Sequence, residues 1–153
     1  MTEDLNSIIN NSYPRESKKS LISNVDRILM RGANTATELR YIADALKVPL
    51  EYIGTIHDLE PPYKVGEYLI LITPEKNSMN GHWVAMKVGK TRSYYFDSYG
   101  QPPPRKLEQA LNLYQNRTQI QALNQNYCGI YSVYFLKSGF GMLKSFKPIR
   151  RWL

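Results

Sequence analysis

The chain has 153 residues and a formal net charge of +7, with 42% hydrophobic and 22% charged residues. This length suffices for one domain with its own core, and the composition excludes disordered, fibrous and low-complexity proteins. The apolar run at residues 68–72 has the length of a strand, so we expect no membrane-spanning segment. A single cysteine cannot form an internal disulfide, which favours a reducing compartment. One cysteine and two histidines are also too few for a Cys-rich zinc site.

Apolar residues at helical spacing predict two helices in the first third of the chain. The first covers residues 19–30, and the second begins at a capping box formed by Thr35 and Glu38. The second helix is expected to end before Pro49. Its predicted buried face consists of Leu39, Ile42, Ala43 and Leu46. We interpret residues 1–35 as an N-terminal arm or extra helix.

Strands dominate the predicted middle of the chain. A proline- and tyrosine-rich connection is expected first, at residues 49–66. Apolar and alternating runs then predict strands at residues 68–73, 82–88 and 94–97, and a further strand candidate at residues 118–121. A short helix is predicted between them, at residues 106–114.

A long apolar helix is predicted to begin at Cys128 and to end near Gly139 or Gly141. The order of elements predicts the α+β class, with an antiparallel or mixed sheet packed on this central helix. We therefore expect a single domain over residues 1–153, with its core in residues 36–153.

Cys128 is the strongest candidate for chemistry. A cysteine in the first turn of a helix is activated by the unpaired amides and the helix dipole. An activated thiolate also needs a base and an oxyanion stabiliser. The chain offers a base in His82, an orienting acid in Asp97 and a side-chain amide donor in Gln121. The predicted hairpin of residues 82–97 can bring the carboxylate beside the imidazole.

Three short motifs carry a family resemblance. They are Gly-His-Trp at residues 81–83, Tyr-Phe-Asp-Ser-Tyr-Gly at residues 95–100, and Gln-x-x-Asn-x-x-x-Cys-Gly-Ile-Tyr at residues 121–131. Together they resemble the adenain-like cysteine endopeptidases, which include the adenovirus maturation protease and relatives in virophages and Polinton-type elements. The SUMO-specific proteases are more distantly similar. The resemblance covers about residues 40–141.

The resemblance implies a role for each motif residue. Cys128 matches the nucleophile, His82 the general base and Asp97 the acid that orients the base. Gln121 matches the glutamine of the oxyanion hole, seven residues before the cysteine. Trp83 matches the aromatic residue after the base, where it is a candidate wall of the substrate site or a core residue.

The resemblance also implies a function. It predicts a monomeric thiol protease with an adenain/SUMO-protease-like fold. This enzyme would cleave viral capsid or core precursor proteins, after a small residue such as glycine, during virion maturation. Its expected location is the virion and the host cytoplasm or viral factory. No cofactor is expected, although a non-covalent peptide or nucleic-acid activator is compatible with the chain. The disulfide-linked activator of the adenovirus enzyme is excluded, because Cys128 is the only cysteine.

Several alternatives stay open at the level of sequence. Cys128 alone could be an inert core residue, and Asp97 could merely cap a turn. His57 is a competing base, but it is predicted to lie in a loop away from any strand end. Gln119 and Gln125 compete with Gln121 for the role of oxyanion donor. Other functions that share the three catalytic residue types are deconjugation of ubiquitin-like modifiers and acetyl transfer.

A non-enzymatic nucleic-acid-binding module is the remaining alternative. Its basic clusters would be Lys87-Lys90-Arg92 and Lys144-Lys147-Arg150-Arg151, which are expected to lack nearby acids. The same clusters make non-specific DNA a candidate partner of the protease. Surface solvation explains scattered positive charge equally well.

Overall fold

The computed structural model describes residues 34–74, 81–116, 119, 127–139 and 143–149. The predicted helix at residues 19–30 lies outside these ranges. So does the strand candidate at residues 118–121, except for Gln119. Within the described ranges, no helix is long and apolar enough to cross a membrane.

Helix α1, Ala36–Ala45, begins at the predicted capping box. The Glu38 amide donates to Thr35 Oγ1 at 3.2 Å, and the Thr35 amide donates to Glu38 Oε1 at 2.9 Å. These reciprocal bonds satisfy two amides that the first helical turn leaves unpaired. The predicted face is fully buried, since Leu39, Ile42, Ala43 and Leu46 are all 0% exposed.

Six strands form one mixed sheet in the order β1-β2-β3-β4-β5-β6. The strands are β1 Leu50–Thr55, β2 Gly66–Ile72, β3 His82–Val88, β4 Ser93–Phe96, β5 Leu113–Gln115 and β6 Lys147–Pro148. Strand β2 pairs with β1 in parallel, and β4 pairs with β5 in parallel. The other neighbours are antiparallel. The predicted α+β class and mixed sheet are confirmed.

Two sequence predictions about secondary structure were wrong. Residues 49–66 are not only a connection, because they contain β1, which gains its backbone hydrogen bonds from the buried strand β2. The helix predicted at residues 106–114 is shorter: α2 covers Arg105–Ala110, and the chain then enters β5. In both places tertiary strand pairing overrides a local pattern that did not indicate a strand.

The sheet is buried on both faces. Side chains of Leu69, Trp83 and Phe96 belong to one core, which packs against α1 and α3, Cys128–Ser138. Alternate residues such as Ile70 belong to a second core. This second core also includes Ile56, of the 3-10 turn Ile56–Asp58, and Leu107 of α2. Burial on both faces explains why β2 and β3 are apolar runs rather than alternating patterns.

Helix α3 lies across β3 and determines where the site can form. It begins at Cys128, as predicted, and ends at Gly139, whose φ of 64° is the left-handed conformation that favours glycine at a helix end. Within the helix, the Phe135 ring stacks on Phe96 of β4 at a centroid distance of 4.9 Å. This packing fixes α3 against the strands that carry the candidate site.

Candidate active site

The start of α3 is held against the start of β3. The Trp83 backbone amide donates a hydrogen bond to Cys128 Sγ at 3.3 Å. One turn into the helix, the buried Ser132 hydroxyl lies 2.7 Å from the Cys128 carbonyl oxygen and 3.3 Å from that of Trp83. The half-buried cysteine is therefore fixed next to the residue that follows His82.

Gly129 makes this position of the cysteine compatible with α1. A Cβ atom at residue 129 would lie 2.8 Å from Cδ2 of Leu39, which is closer than real Cβ contacts. Leu39 is fully buried, so it has little room to move away. The glycine thus lets the first turn of α3 approach α1 closely.

His82 and Asp97 form the closest polar pair of the site. His82 Nε2 lies 2.6 Å from Asp97 Oδ1, and Asp97 is 2% exposed. His82 is the first residue of β3, and Asp97 directly follows β4, the antiparallel neighbour of β3. The predicted hairpin is therefore present. Because Nε2 faces the carboxylate, Nδ1 is the ring nitrogen left to exchange a proton with a thiol.

The environment of His82 stabilises the protonated form of its imidazole. Burial by itself lowers the pKa of His82, but hydrogen bonds and charge interactions with Asp97 and Cys128 outweigh it. The net effect raises the pKa from its usual 6.5 to about 9. An imidazolium that is stabilised from both sides is the partner that a thiolate requires.

Tyr99 covers the outer side of the imidazole, which sequence reasoning missed. Its ring stacks on His82 with a centroid distance of 4.4 Å and an interplanar angle of 21°. Its backbone amide donates to Asp97 Oδ1 at 2.8 Å. Burial, followed by the charges of Cys128 and Asp97, raises the pKa of Tyr99. The tyrosine belongs to the Asp-Ser-Tyr-Gly motif, but the motif does not reveal the stacking.

Asn116 is a second residue that the sequence did not identify. It directly follows β5 and is 1% exposed. Its Oδ1 accepts from the Asp97 amide at 3.0 Å, and its Nδ2 donates to the Asp97 carbonyl oxygen at 2.7 Å. The available signal, a polar residue after an alternating Leu-x-Gln stretch, was obscured because a helix was predicted there.

The remaining predicted site residues have different outcomes. Gln121 and its competitor Gln125 lie outside the described residues, whereas Gln119 is described and exposed. Trp83 is 5% exposed in the core, and its Nε1 donates to the Asn34 carbonyl oxygen at 3.1 Å. This burial favours the core role that we left open over the role of substrate wall.

His57 lies closer to strand ends than we expected. It follows β1 directly, within the 3-10 turn, and its Nε2 lies 2.7 Å from the Thr73 carbonyl oxygen just beyond β2. The expectation that no strand ends near it was therefore wrong, because β1 was not predicted. The ring nitrogen of His57 contacts a backbone carbonyl, whereas that of His82 contacts a carboxylate.

The first basic cluster is not uniformly free of acids. Lys87 Nζ lies 3.4 Å from Glu67 Oε1 and donates to the Leu136 carbonyl oxygen at 2.8 Å. The expectation of no nearby acid was wrong at this position, because β2 brings Glu67 opposite Lys87 in the sheet. Lys90 and Arg92 are exposed, as are Lys144 and Lys147 of the second cluster. Arg150 and Arg151 lie outside the described residues.

No family model, curated protein or solved structure matches the chain. A thiol at a helix start, an imidazole and a buried carboxylate converge, which is the arrangement of nucleophilic acyl transfer. In the part of the chain that the structure describes, no three His, Cys, Asp or Glu side chains are grouped to hold a metal ion.

Proposed function

We propose that this chain is a cysteine endopeptidase of the adenain type, with Cys128 as nucleophile, His82 as base and Asp97 as orienting acid. The observation that carries the proposal is the 2.6 Å contact between His82 Nε2 and Asp97 Oδ1 beside the Cys128 thiol. If His82 were only a surface histidine and Cys128 an inert core residue, no buried carboxylate would be needed to orient the imidazole. Asp97, which is 2% exposed, is such a carboxylate.

In the proposed reaction, His82 takes the thiol proton and the Cys128 sulfur attacks the peptide carbonyl carbon. A C–S bond forms, and the carbonyl electrons move to oxygen. The imidazolium then gives its proton to the leaving amine as the C–N bond breaks. Water, deprotonated by His82, hydrolyses the thioester and releases the carboxylic acid product. Asp97 holds the ring in one tautomer throughout.

The oxyanion of this reaction needs donors near the sulfur. The start of α3 supplies unpaired backbone amides with the positive end of the helix dipole, and the Cys128 amide is among them. We assign the second donor to the Gln121 side chain, on the resemblance to the adenain-like enzymes alone.

The proposed substrates are capsid or core precursor proteins of a double-stranded DNA virus, virophage or Polinton-like element, cut after a small residue. The motif resemblance is the only support for this substrate class. The family fold is supported by the order of the three residues along the chain. The base begins β3, the acid directly follows the antiparallel neighbour β4, and the nucleophile begins a helix.

The test is co-expression with the capsid and core proteins of the same genome, followed by mass spectrometry of new protein termini. The wild type should generate termini after small residues, and Cys128→Ala should generate none. Cleavage of ubiquitin-like conjugates instead would assign the deconjugating function, and acetyl transfer from acetyl-CoA would assign an acyltransferase. Identical termini in the wild type and the alanine variant would contradict the proposed peptidase.

A further inference from the structure

The buried amide of Asn116 has a specific relation to the acid of the site. We infer that Asn116 is a positioning residue, whose side chain sets the place of Asp97 and thereby the orientation of His82. This inference rests on the proposed function, since it concerns the same proposed reaction. Asn116 itself does not contact the reacting atoms: it acts on the backbone of the residue whose carboxylate contacts His82.

The strand ladder of β4 ends next to Asp97. Strand β4 ends at Phe96, so the backbone of Asp97 lies just beyond the described pairing with β3 and β5. A buried amide and carbonyl need partners. The parallel pairing of β4 with β5 extends to Tyr95 and Gln115. Asn116, the next residue of that strand, then contacts both polar groups of the Asp97 backbone through its side chain.

Asp97 is held at several points at once. Asn116 contributes one acceptor at 3.0 Å and one donor at 2.7 Å. The Gly100 amide donates to the same Asp97 carbonyl oxygen at 2.8 Å. The Tyr99 amide donates to the carboxylate at 2.8 Å. With the backbone held by Asn116 and Gly100 and the carboxylate by the Tyr99 amide, Asp97 Oδ1 lies 2.6 Å from His82 Nε2.

A site of this kind tolerates only small displacements of its groups. Proton transfer between the thiol and the imidazole depends on the ring orientation that Asp97 imposes. A displacement of about 1 Å by a change away from the reacting atoms can cost on the order of 10²-fold in rate. Loss of the Asn116 contacts would release the backbone of Asp97, with the carboxylate still present but no longer aligned.

The experiment compares Asn116→Ala with Gln115→Ala in the full chain. Gln115 is a matched control, because it is also buried in β5 and its side-chain amide donates to a backbone carbonyl, that of Gln101. Both variants lose a buried amide, but only Asn116 contacts Asp97. One readout is kcat and KM on a cleaved peptide. The other is the rate at which iodoacetamide alkylates Cys128, the only thiol, across the pH range.

For Asn116→Ala we expect kcat to fall by about 10²-fold with KM nearly unchanged. We expect its alkylation profile to move to higher pH, because a misaligned imidazolium stabilises the thiolate less. Besides the alkylated Cys128, the groups that face His82 are Tyr99 and Asp97, and both are unchanged in this variant. Gln115→Ala should keep the wild-type profile and kcat. Asn116→Asp, which replaces the Nδ2 donor by a carboxylate oxygen facing the Asp97 carbonyl oxygen, should lower kcat at least as far as the alanine variant.

The inference is overturned if Asn116→Ala folds and retains the wild-type kcat and alkylation profile, or if Gln115→Ala has the same effect. If neither Asn116 variant folds, NMR of the wild type tests the inference. The side-chain NH₂ protons of Asn116 should exchange slowly with solvent, and their resonance should shift as His82 titrates. Fast exchange together with no shift during this titration overturns the inference. Failure of the proposed function is a separate result: the wild-type thiol would then react like an ordinary exposed thiol.

Discussion

The Trp83 backbone amide donates a hydrogen bond to Cys128 Sγ at 3.3 Å, across 45 residues of sequence. This contact joins the first turn of α3 to the first residues of β3. It places the residue after His82 directly against the sulfur, so the imidazole and the thiol lie at the same corner of the fold.

The choice of base is tested by replacing each histidine. His82→Ala should remove peptide cleavage, because only His82 is paired with a carboxylate beside the thiol. His57→Ala should retain most of the activity, since His57 contacts the Thr73 carbonyl oxygen instead. The measurement is kcat/KM for the two variants on one peptide, with circular dichroism to check folding. Equal losses in two folded variants would refute the assignment of His82.

The raised pKa of His82 predicts how stability depends on pH. Protonated His82 stabilises the folded state, because the folded pKa is about 9 and the ordinary value is 6.5. This contribution is complete below about pH 6.5 and is lost as the pH rises through about 9. The free energy of unfolding of the wild type should therefore exceed that of His82→Ala by more at about pH 6 than at about pH 9.5.

Urea denaturation of both proteins at the two pH values measures this difference. Asp97→Asn is the control, because it removes the carboxylate whose hydrogen bond and charge raise the pKa of His82. In that background the difference should change less with pH. A difference that is the same at both pH values in the wild-type background would show that His82 is not protonated preferentially in the folded state.

The oxyanion assignment predicts different effects for three glutamines. Gln121→Ala should lower kcat by about 10²- to 10³-fold with little change in KM, as for the loss of one oxyanion donor. Gln119→Ala and Gln125→Ala should be nearly neutral. Steady-state kinetics on one peptide separates the three. If Gln125→Ala is the damaging change, the seven-residue spacing to Cys128 is the wrong alignment.

We propose non-specific DNA as a partner, on the basis of the exposed basic residues. Lys90 and Arg92 precede β4. Lys144 precedes β6 and Lys147 is its first residue, two strands away in the sheet. Arg92 Cζ lies 4.1 Å from the centroid of the Tyr114 ring, and Tyr114 belongs to β5, the strand between β4 and β6. Because the chain has no acidic residue after Glu108, the sheet end at β5 and β6 has little negative charge of its own.

Duplex DNA affinity should fall linearly with salt on logarithmic axes and weaken on reversal of Lys90 and Arg92, or of Lys144 and Lys147. Lys106→Glu is the matched control, because Lys106 already pairs with Glu60 at 3.2 Å. Fluorescence titration at several salt concentrations measures the affinities. No binding at about 50 mM salt, or equal affinity in all variants, would assign the charge to surface solvation.

The parts of the fold that could be predicted are those with local signals. The Thr35 cap, strand β3 and the start of α3 at Cys128 follow from capping chemistry, an apolar run and a change from polar to apolar residues. The proximity of His82 and Asp97 was also predictable, because a hairpin connects their strands. Short-range rules determine each of these features.

The parts that could not be predicted depend on pairing between distant segments. Strand β1 exists because β2 offers it a parallel edge, and β5 because β4 does. Without β5, nothing in the sequence associates Asn116 with Asp97, although the two contact each other through two hydrogen bonds. Such contacts require the register of the sheet, which composition does not contain.

The proposed function makes Cys128 the nucleophile of a peptide hydrolase. The direct measurement is to incubate the wild type and Cys128→Ala with a proteome-derived peptide library and identify new termini by mass spectrometry. Loss of a small thiol should cost at most a few kcal/mol of stability, so the alanine variant should remain folded. We predict new termini after small residues for the wild type and none for Cys128→Ala. New termini of the same kind from the folded alanine variant would contradict the claim.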